Sequence, residues 1–450
     1  MSFKKTMLAV AAVTALTAAT AVPAMALENE FHGMYRAFGY LTNAETGGTG
    51  FNLRDNSANT FFAEQRARLM YIAKASDDLK LVTQFELDSR FGGMTAGKYQ
   101  SNDAGGLDAD QVTLETKNFY LDFNIPATPV NMKVGTQPFN DAFQGIFSAM
   151  DATGVVASAK VGAFTPTLGW FRLSDNNFDA ATGLLPGDHV ADLIVLDGKF
   201  ALNKDITLGA SYYNVQNDET ASTGTAFTND YQLLHMLGLN ASAKVGPAAL
   251  TGFLAYQFGD YSDTRDLSAY AAGAVAKVAV GPGKINAAAL YLSGNEDATG
   301  DFTSFRQVAT NGAVSYFNPS NMWLLIRNGA MINSSAQIGG PAGATQTDLT
   351  RGNVGLIGFF GGYEMAMGKA FGSANIGYAM ADEDGAADAS IGTELNATIG
   401  YKVYDNLTAS FTAAYAILGD GMNDGPALLP GGVADADDPY MANIQLSYVF

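Results

Sequence analysis

Residues 440–450 read Tyr-Met-Ala-Asn-Ile-Gln-Leu-Ser-Tyr-Val-Phe, and their period is two. Tyr440, Ala442, Ile444, Leu446, Tyr448 and Phe450 fall on one side, and Met441, Asn443, Gln445, Ser447 and Val449 on the other. Successive side chains of a strand point to opposite faces, so this segment is a strand with one apolar face and one largely polar face. Aromatic residues close both ends of the apolar face. That is the layout of a strand with lipid on one side, water on the other and an interface at each end. A strand of a soluble sandwich alternates as well, so the rest of the chain decides.

At the other terminus Lys4 and Lys5 precede an apolar run from Met7 to Val22 that ends in Ala24-Met25-Ala26. A positive start, a short apolar stretch and a small-residue cleavage pattern are the signature of export, which predicts a signal peptide over 1–26 and a single barrel domain over 27–450. Beyond it no stretch approaches the ~20 consecutive apolar residues a membrane helix needs. Yet 48% of the chain is hydrophobic. In lipid only helices and closed barrels satisfy every backbone N–H and C=O, so an exported chain this apolar without a spanning helix points to a barrel. There is no cysteine, which excludes disulfides and thiolate metal sites. The net charge of −19 becomes more negative once the signal and its two lysines are removed. Such a field repels nucleic-acid phosphates, so no nucleic-acid partner is expected.

Eighteen alternating segments are legible, the first near 29–42 and the last near 438–450. Every even-numbered one is followed by a tight turn, such as Ser76-Asp77-Asp78, Gly246-Pro247, Pro282-Gly283 or Tyr404-Asp405-Asn406. Most odd-numbered ones are followed by a longer polar loop. The expected fold is therefore all-β: a transmembrane antiparallel β-barrel of 16 to 18 strands with long external loops, short periplasmic turns and both termini on the periplasmic side. From Leu79 to Phe91 one face holds Leu79, Leu81, Phe85, Leu87 and Phe91, and the other Lys80, Gln84, Glu86, Asp88 and Arg90. A lipid-facing Arg or Lys at the bilayer midplane costs ~2–4 kcal/mol, so the charged faces point inward and the interior is wet.

Three stretches resist the pattern. Phe119, Leu121 and Phe123 set a lipid face that would also carry Glu115 and Lys117, so either a bulge shifts the register or those two lie above the membrane. The strand from His189 to Phe200 is apolar on both faces around Leu193 to Leu196, which implies packing against a neighbouring subunit or an inward-folded loop. The stretch 295–350 is long for an external loop, and Met322 to Ile326 within it is apolar enough for another strand or a packed plug.

Charge concentrates on the inward faces of the first three strands. Arg36, Arg66, Arg68, Lys80 and Arg90 interleave there with Glu64, Glu86 and Asp88. Fixed charges on a rigid wall set the electrostatic barrier of a pore, and the same residues can equally pair across strands to satisfy one another. With the exported signal, the alternation and the terminal Phe450, the chain resembles a Gram-negative general porin of the trimeric outer-membrane type. In that family the loop after the fifth strand folds into the pore and faces a basic cluster. The matching stretch here follows Lys133-Val134-Gly135-Thr136-Gln137, so the resemblance implies an inward-folding loop near 138–153. It makes Asp141 and Asp151 candidates for the acidic side of a constriction, facing Arg36, Arg66, Arg68 and Arg90. The middle of this loop, Phe143 to Met150, is mostly apolar, which departs from the pattern. The resemblance further implies a homotrimer in outer-membrane lipid and an assembly signal at Phe450.

Other signals are thin. Asp382-Glu383-Asp384, Glu296-Asp297 and Asp435 to Asp438 offer hard oxygen ligands to loop-bound divalent cations, but none has EF-hand spacing. No cofactor is otherwise expected. His32, His189 and His235 form no pair at metal-ligand spacing, and no local signature of a nucleophile and base argues for an enzyme. The sequence thus predicts passive diffusion of small hydrophilic solutes and ions. With acids crowding the vestibule, it leans toward cations. Two alternatives stay open: a substrate-specific channel, and a surface barrel acting as an adhesion or assembly scaffold, such as a sheath for an electron-carrying cytochrome.

Overall fold

The structure is a computed structural model describing residues 27–43, 58–92, 114–175, 190–218, 231–297, 299–308, 317–326, 353–383, 388–423 and 435–450. The expected signal peptide and His189 lie outside the described residues. Eighteen strands form one antiparallel sheet. The first half comprises β1 (Glu28–Thr42), β2 (Thr60–Ser76), β3 (Leu79–Arg90), β4 (Glu115–Asn124), β5 (Val130–Asn140), β6 (Ala149–Ala159), β7 (Phe164–Asp175), β8 (Val190–Ala201) and β9 (Ile206–Asn217). The second comprises β10 (Leu233–Val245), β11 (Ala248–Ser262), β12 (Arg265–Val280), β13 (Gly283–Leu292), β14 (Leu356–Met367), β15 (Ala370–Met380), β16 (Ser390–Tyr404), β17 (Leu407–Leu418) and β18 (Tyr440–Val449). Asp77-Asp78, Gly246-Pro247, Gly281-Pro282, Gly368-Lys369 and Asp405-Asn406 each join an even-numbered strand to the next. β1 pairs with both β2 and β18, so the sheet closes and leaves no open edge.

The outer surface is what a lipid-facing wall needs. Phe31, Phe61, Leu69, Leu239, Leu254, Phe359, Ile399 and Ile444 are exposed on it. The terminal strand has the faces its alternation predicts: Ile444, Leu446 and Tyr448 are exposed outward, while Met441 and Asn443 are buried inward. Phe450 continues this strand by exchanging backbone hydrogen bonds with Gly33 at 2.9 and 3.0 Å. Its ring lies over Gly33, where a Cβ would come within 2.4 Å of the ring and 2.7 Å of the Arg68 carbonyl oxygen. The seam between first and last strand therefore ends on a ring seated in a notch that only glycine leaves open. Deleting Phe450 is expected to lower the yield of the heat-modifiable folded barrel on gel electrophoresis while leaving the conductance of correctly formed barrels unchanged.

Two irregularities shape the lumen. On β4, Asn118 pairs with Gln84 and Thr116 with Phe85, which leaves Lys117 as the extra residue of a bulge. The bulge restores the inward direction of Glu115, opposite Glu86. The second lies in the β5–β6 hairpin. Pairing of β4 with β5 ends at Phe119–Thr136, and pairing of β6 with β7 ends at Thr153–Arg172. The hairpin itself continues to Asn140–Ala149. Its last turns have thus left both neighbours, and the tip bends into the barrel. Gly135, at φ 129°, marks the point of departure, for a Cβ there would strike the Phe119 carbonyl oxygen at 2.3 Å. Both strands run closer to the tip than their alternation suggests. Pro138 lies beyond the last β4–β5 pair, on an edge where a missing N–H is tolerated.

Among the described residues a buried apolar cluster lies in the lumen. Phe143, Ile146 and Phe147 of the hairpin tip are fully buried, and Leu193, Val195, Tyr213, Met236 and Phe253 of the wall pack with them in one cluster. The double-sided apolar character of β8 is thereby explained: Leu193 and Val195 meet the inward loop, while Leu196 is exposed outside. The described parts of the segment expected as a long external loop also turn inward. Phe302, Phe305 and Val308 are buried, and the Val308 N–H donates to the Phe147 carbonyl at 2.9 Å. Met322 to Ile326 follows a 3₁₀ turn, Asn318–Ser320, and is a packed plug rather than a strand.

Candidate functional site

One side of the lumen is a wall of paired ions. On β2 and β3 the inward residues alternate in register, Glu64 opposite Arg90, Arg66 opposite Asp88 and Arg68 opposite Glu86. Arg66 grips Asp88 with two nitrogens, Nε at 2.6 Å, and reaches Glu86 at 3.3 Å. Arg68 Nε donates to Glu86, and Arg90 Nη2 donates to Glu64 at 3.0 Å with its guanidinium 4.2 Å over the Phe62 ring. Arg36 stands on β1 directly across from Arg66. Toward the turn rim Lys80 approaches Asp122 at 3.4 Å. Arg36, Glu64, Arg66, Arg68, Glu86, Asp88 and Arg90 are thus brought together on neighbouring strands, while Lys80 stands apart near the turn.

Lys117 joins this wall beyond the reach of alternation, and Asp151, expected opposite the arginines, meets Lys117 and Asn118 instead. Lys117, placed by the bulge, contacts Glu86 at 3.6 Å and Asp151 at 2.8 Å, and Asn118 donates to Asp151 at 2.9 Å. Asp151 lies on β6, on the face that would look outward if the hairpin had stayed in the wall. Because the tip bends in, that face meets β4, and Asp151 ties the loop to the charged wall. Replacing Arg66 by alanine would strip Asp88 of its bidentate partner and leave the wall net acidic. In a salt-gradient bilayer experiment the reversal potential is expected to move toward cation preference.

Asp141 corrects the expectation for a constriction. It does not face the arginines. Its Oδ1 accepts N–H groups from Phe143 at 2.7 Å and Gly145 at 2.8 Å, and its Oδ2 from Phe147 at 2.6 Å and Ser148 at 2.8 Å. The carboxylate is therefore the clasp of its own loop, closed by four backbone donors. Burial pushes the Asp141 carboxyl above its ordinary value, and the four N–H groups pull against that. The loop is seated on the wall by Tyr213, whose hydroxyl accepts the Ala142 N–H at 3.0 Å and donates to Asp197 at 3.0 Å. Phe143 lies over Gly238, where a Cβ would meet its ring at 2.1 Å.

A second carboxylate does the same for the plug. Glu394 of β16, fully buried, accepts the N–H of Trp323 at 2.8 Å on Oε1 and those of Leu324 and Leu325 at 2.9 Å on Oε2. Asn396 adds a donor to Oε1 at 2.9 Å and also donates to the Asn321 carbonyl at 3.0 Å. Sequence marks Glu394 only as an inward acid among neutral neighbours. Its partners lie some seventy residues away. The two inward segments are thus each pinned by one carboxylate spread over backbone donors close together in sequence.

The loop acids have local employment. Asp438 accepts from Tyr415 at 2.7 Å and from the Leu418 N–H at 2.9 Å, Asp297 from Thr299 at 2.8 Å, and Asp382 from the Gly294 N–H at 2.9 Å. Among the described residues no group of three or more His, Cys, Asp or Glu is placed to hold a metal ion. His32 meets Glu30 at 3.4 Å, and His235 meets Tyr212 at 2.8 Å on the outer face.

An edgeless eighteen-stranded wall, apolar outside and charged inside, with a hairpin tip folded into its lumen, is the fold of Gram-negative outer-membrane porins. Solved structures similar to it bear this out over nearly the whole chain. The outer-membrane protein OpdK from Pseudomonas aeruginosa matches at 11% identity and a TM-score of 0.55, covering 94% of this chain and 98% of that one. OccAB1 from Acinetobacter baumannii matches at 10% and 0.55, covering 94% and 96%, and OpdQ from Pseudomonas aeruginosa at 12% and 0.53, covering 94% and 99%. OpdK is also matched in a structure with vanillate. No family model and no curated protein matches the chain.

Proposed function

We propose that the chain is a passive outer-membrane channel for small hydrophilic solutes and ions, selective by chemistry as well as size and assembled as a homotrimer. The observation that carries the selectivity is the double pinning of the lumen. Two segments far apart in sequence are each fixed inside by a buried carboxylate, Asp141 and Glu394. An unselective pore needs an open bore, whereas groups held rigidly in place discriminate among solutes that reach them. That OpdK, a barrel of this fold, has been solved with vanillate supports a reading in which a small organic solute is recognised. Acids match bases on the wall of β1 to β4, which gives a strong local field of alternating sign rather than a filter for one sign of ion.

Liposome swelling with sugars, amino acids and organic acids of matched size tests the reading. A selective channel ranks them out of order of size, and a strict size order would return the protein to the general-diffusion class. Absence of conductance steps from purified protein in planar bilayers would remove channel function altogether. Cross-linking that stops at monomer would remove the trimer.

A further inference from the structure

We infer that the underside of the hairpin tip is a binding subsite for neutral polyhydroxylated solutes, with monosaccharides as its size class; this rests on the channel reading above. Between the tip and the wall of β8 to β11 lies a cavity of 410 Å³, within the range of small-molecule sites. Asn140 and Gln144 line it from the loop, and Asn240, Ser242 and Thr251 from the wall. All five are neutral, and each amide or hydroxyl offers hydrogen bonds to a ligand.

The contrast with the opposite wall is chemical. There the charged groups grip one another. Here Asn140, Gln144, Ser242 and Thr251 make no side-chain hydrogen bond among the described residues. The Asn240 Nδ2 is buried with no partner in the structure, and an unsatisfied buried donor calls for a ligand or water. Its amide is held against Gly209, where a Cβ would lie 2.5 Å from Oδ1. Gln144, in the left-handed region at φ 69°, lines the cavity from the tip. The only carboxylate in the lining, Asp141, is consumed by its four N–H donors. The only cation, Lys199, is exposed. A charged solute entering here would shed water for little countercharge, whereas sugar hydroxyls, each donor and acceptor, match a set of amides and hydroxyls.

A handful of neutral hydrogen bonds gives affinity on the order of millimolar. Glucose titrated into both chambers of a planar bilayer is therefore expected to block the ionic current of the wild-type channel at millimolar to tens of millimolar concentration. Gluconate, of similar size and negatively charged, is expected to block at least about ten-fold more weakly. Asn240→Leu and, separately, the near-isosteric Thr251→Val are each expected to weaken the glucose block by about three- to ten-fold. Tighter block by gluconate than by glucose would overturn the neutral class. Conductance steps that neither solute blocks would overturn the subsite while leaving the channel standing. No steps at all would remove the channel reading and this inference with it.

Discussion

Exchange of Glu394 for glutamine is expected to release the plug and to give larger, noisier conductance steps. The side chain is nearly isosteric, so packing is preserved and the effect isolates charge and acceptor count. Glutamate presents two acceptor oxygens to the N–H groups of Trp323, Leu324 and Leu325 and to the Asn396 amide. Glutamine presents one oxygen and one NH₂, so its NH₂ faces either the Leu324 and Leu325 N–H groups or the Trp323 N–H and the Asn396 amide, and those donors lose their acceptor. Hydrogen bonds to a charged group contribute about 1.5–3 kcal/mol each, and a buried donor left bare costs about 1–3 kcal/mol. Even about 3 kcal/mol multiplies the released population about 150-fold. Single-channel recording checks this. Steps of wild-type size and noise would show that the plug is held by apolar packing of Met322 to Ile326 alone.

The same reasoning applied to Asp141→Asn gives the second large effect, of a different kind. Each carboxylate oxygen takes a pair of N–H groups, Phe143 and Gly145 on one, Phe147 and Ser148 on the other. Asparagine keeps one pair and sets its own NH₂ against the other. About 3–5 kcal/mol of loop stability is expected to go, the scale of breaking a buried charged contact. The ladder of the wall is untouched, so the barrel should still assemble. Liposome swelling should then admit larger sugars than the wild type, and amide hydrogen exchange should quicken over 143–148. An unchanged size limit with unchanged exchange would mean that Tyr213 and the ring of Phe143 over Gly238 suffice to hold the tip.

How far these features could be read beforehand follows from the range over which each is encoded. Strand faces are encoded locally. Period-two alternation separates Leu81, Phe85 and Leu87 from Glu86, Asp88 and Arg90 without any knowledge of neighbours, and the ion pairs of β2 and β3 follow once those strands form a hairpin. The doubt at Glu115 and Lys117 was visible as a broken parity, and the bulge resolves it. The inward loop was legible in place. Its chemistry was not, because Asp141, which the resemblance sets on the acidic side of a constriction, is instead enclosed by the backbone of its own loop. Asp151 acquires its role only when the hairpin leaves the wall, an event marked in sequence by nothing more than Gly135 and Pro138. Glu394 is further removed still, since its partners are peptide groups, which carry no side-chain signature.

The two clasps differ in ownership. Asp141 binds peptide groups of its own loop, so the hairpin tip carries its fastening with it, whereas the plug is fastened by a residue that belongs to β16. A self-fastened loop can be transplanted or redrawn between barrels as a cassette, keeping its shape wherever a flat apolar seat like that around Gly238 receives it. The plug has no such portability: it stays with the barrel whose wall supplies the acid, and variation in what the lumen presents can therefore accumulate in one segment far more freely than in the other.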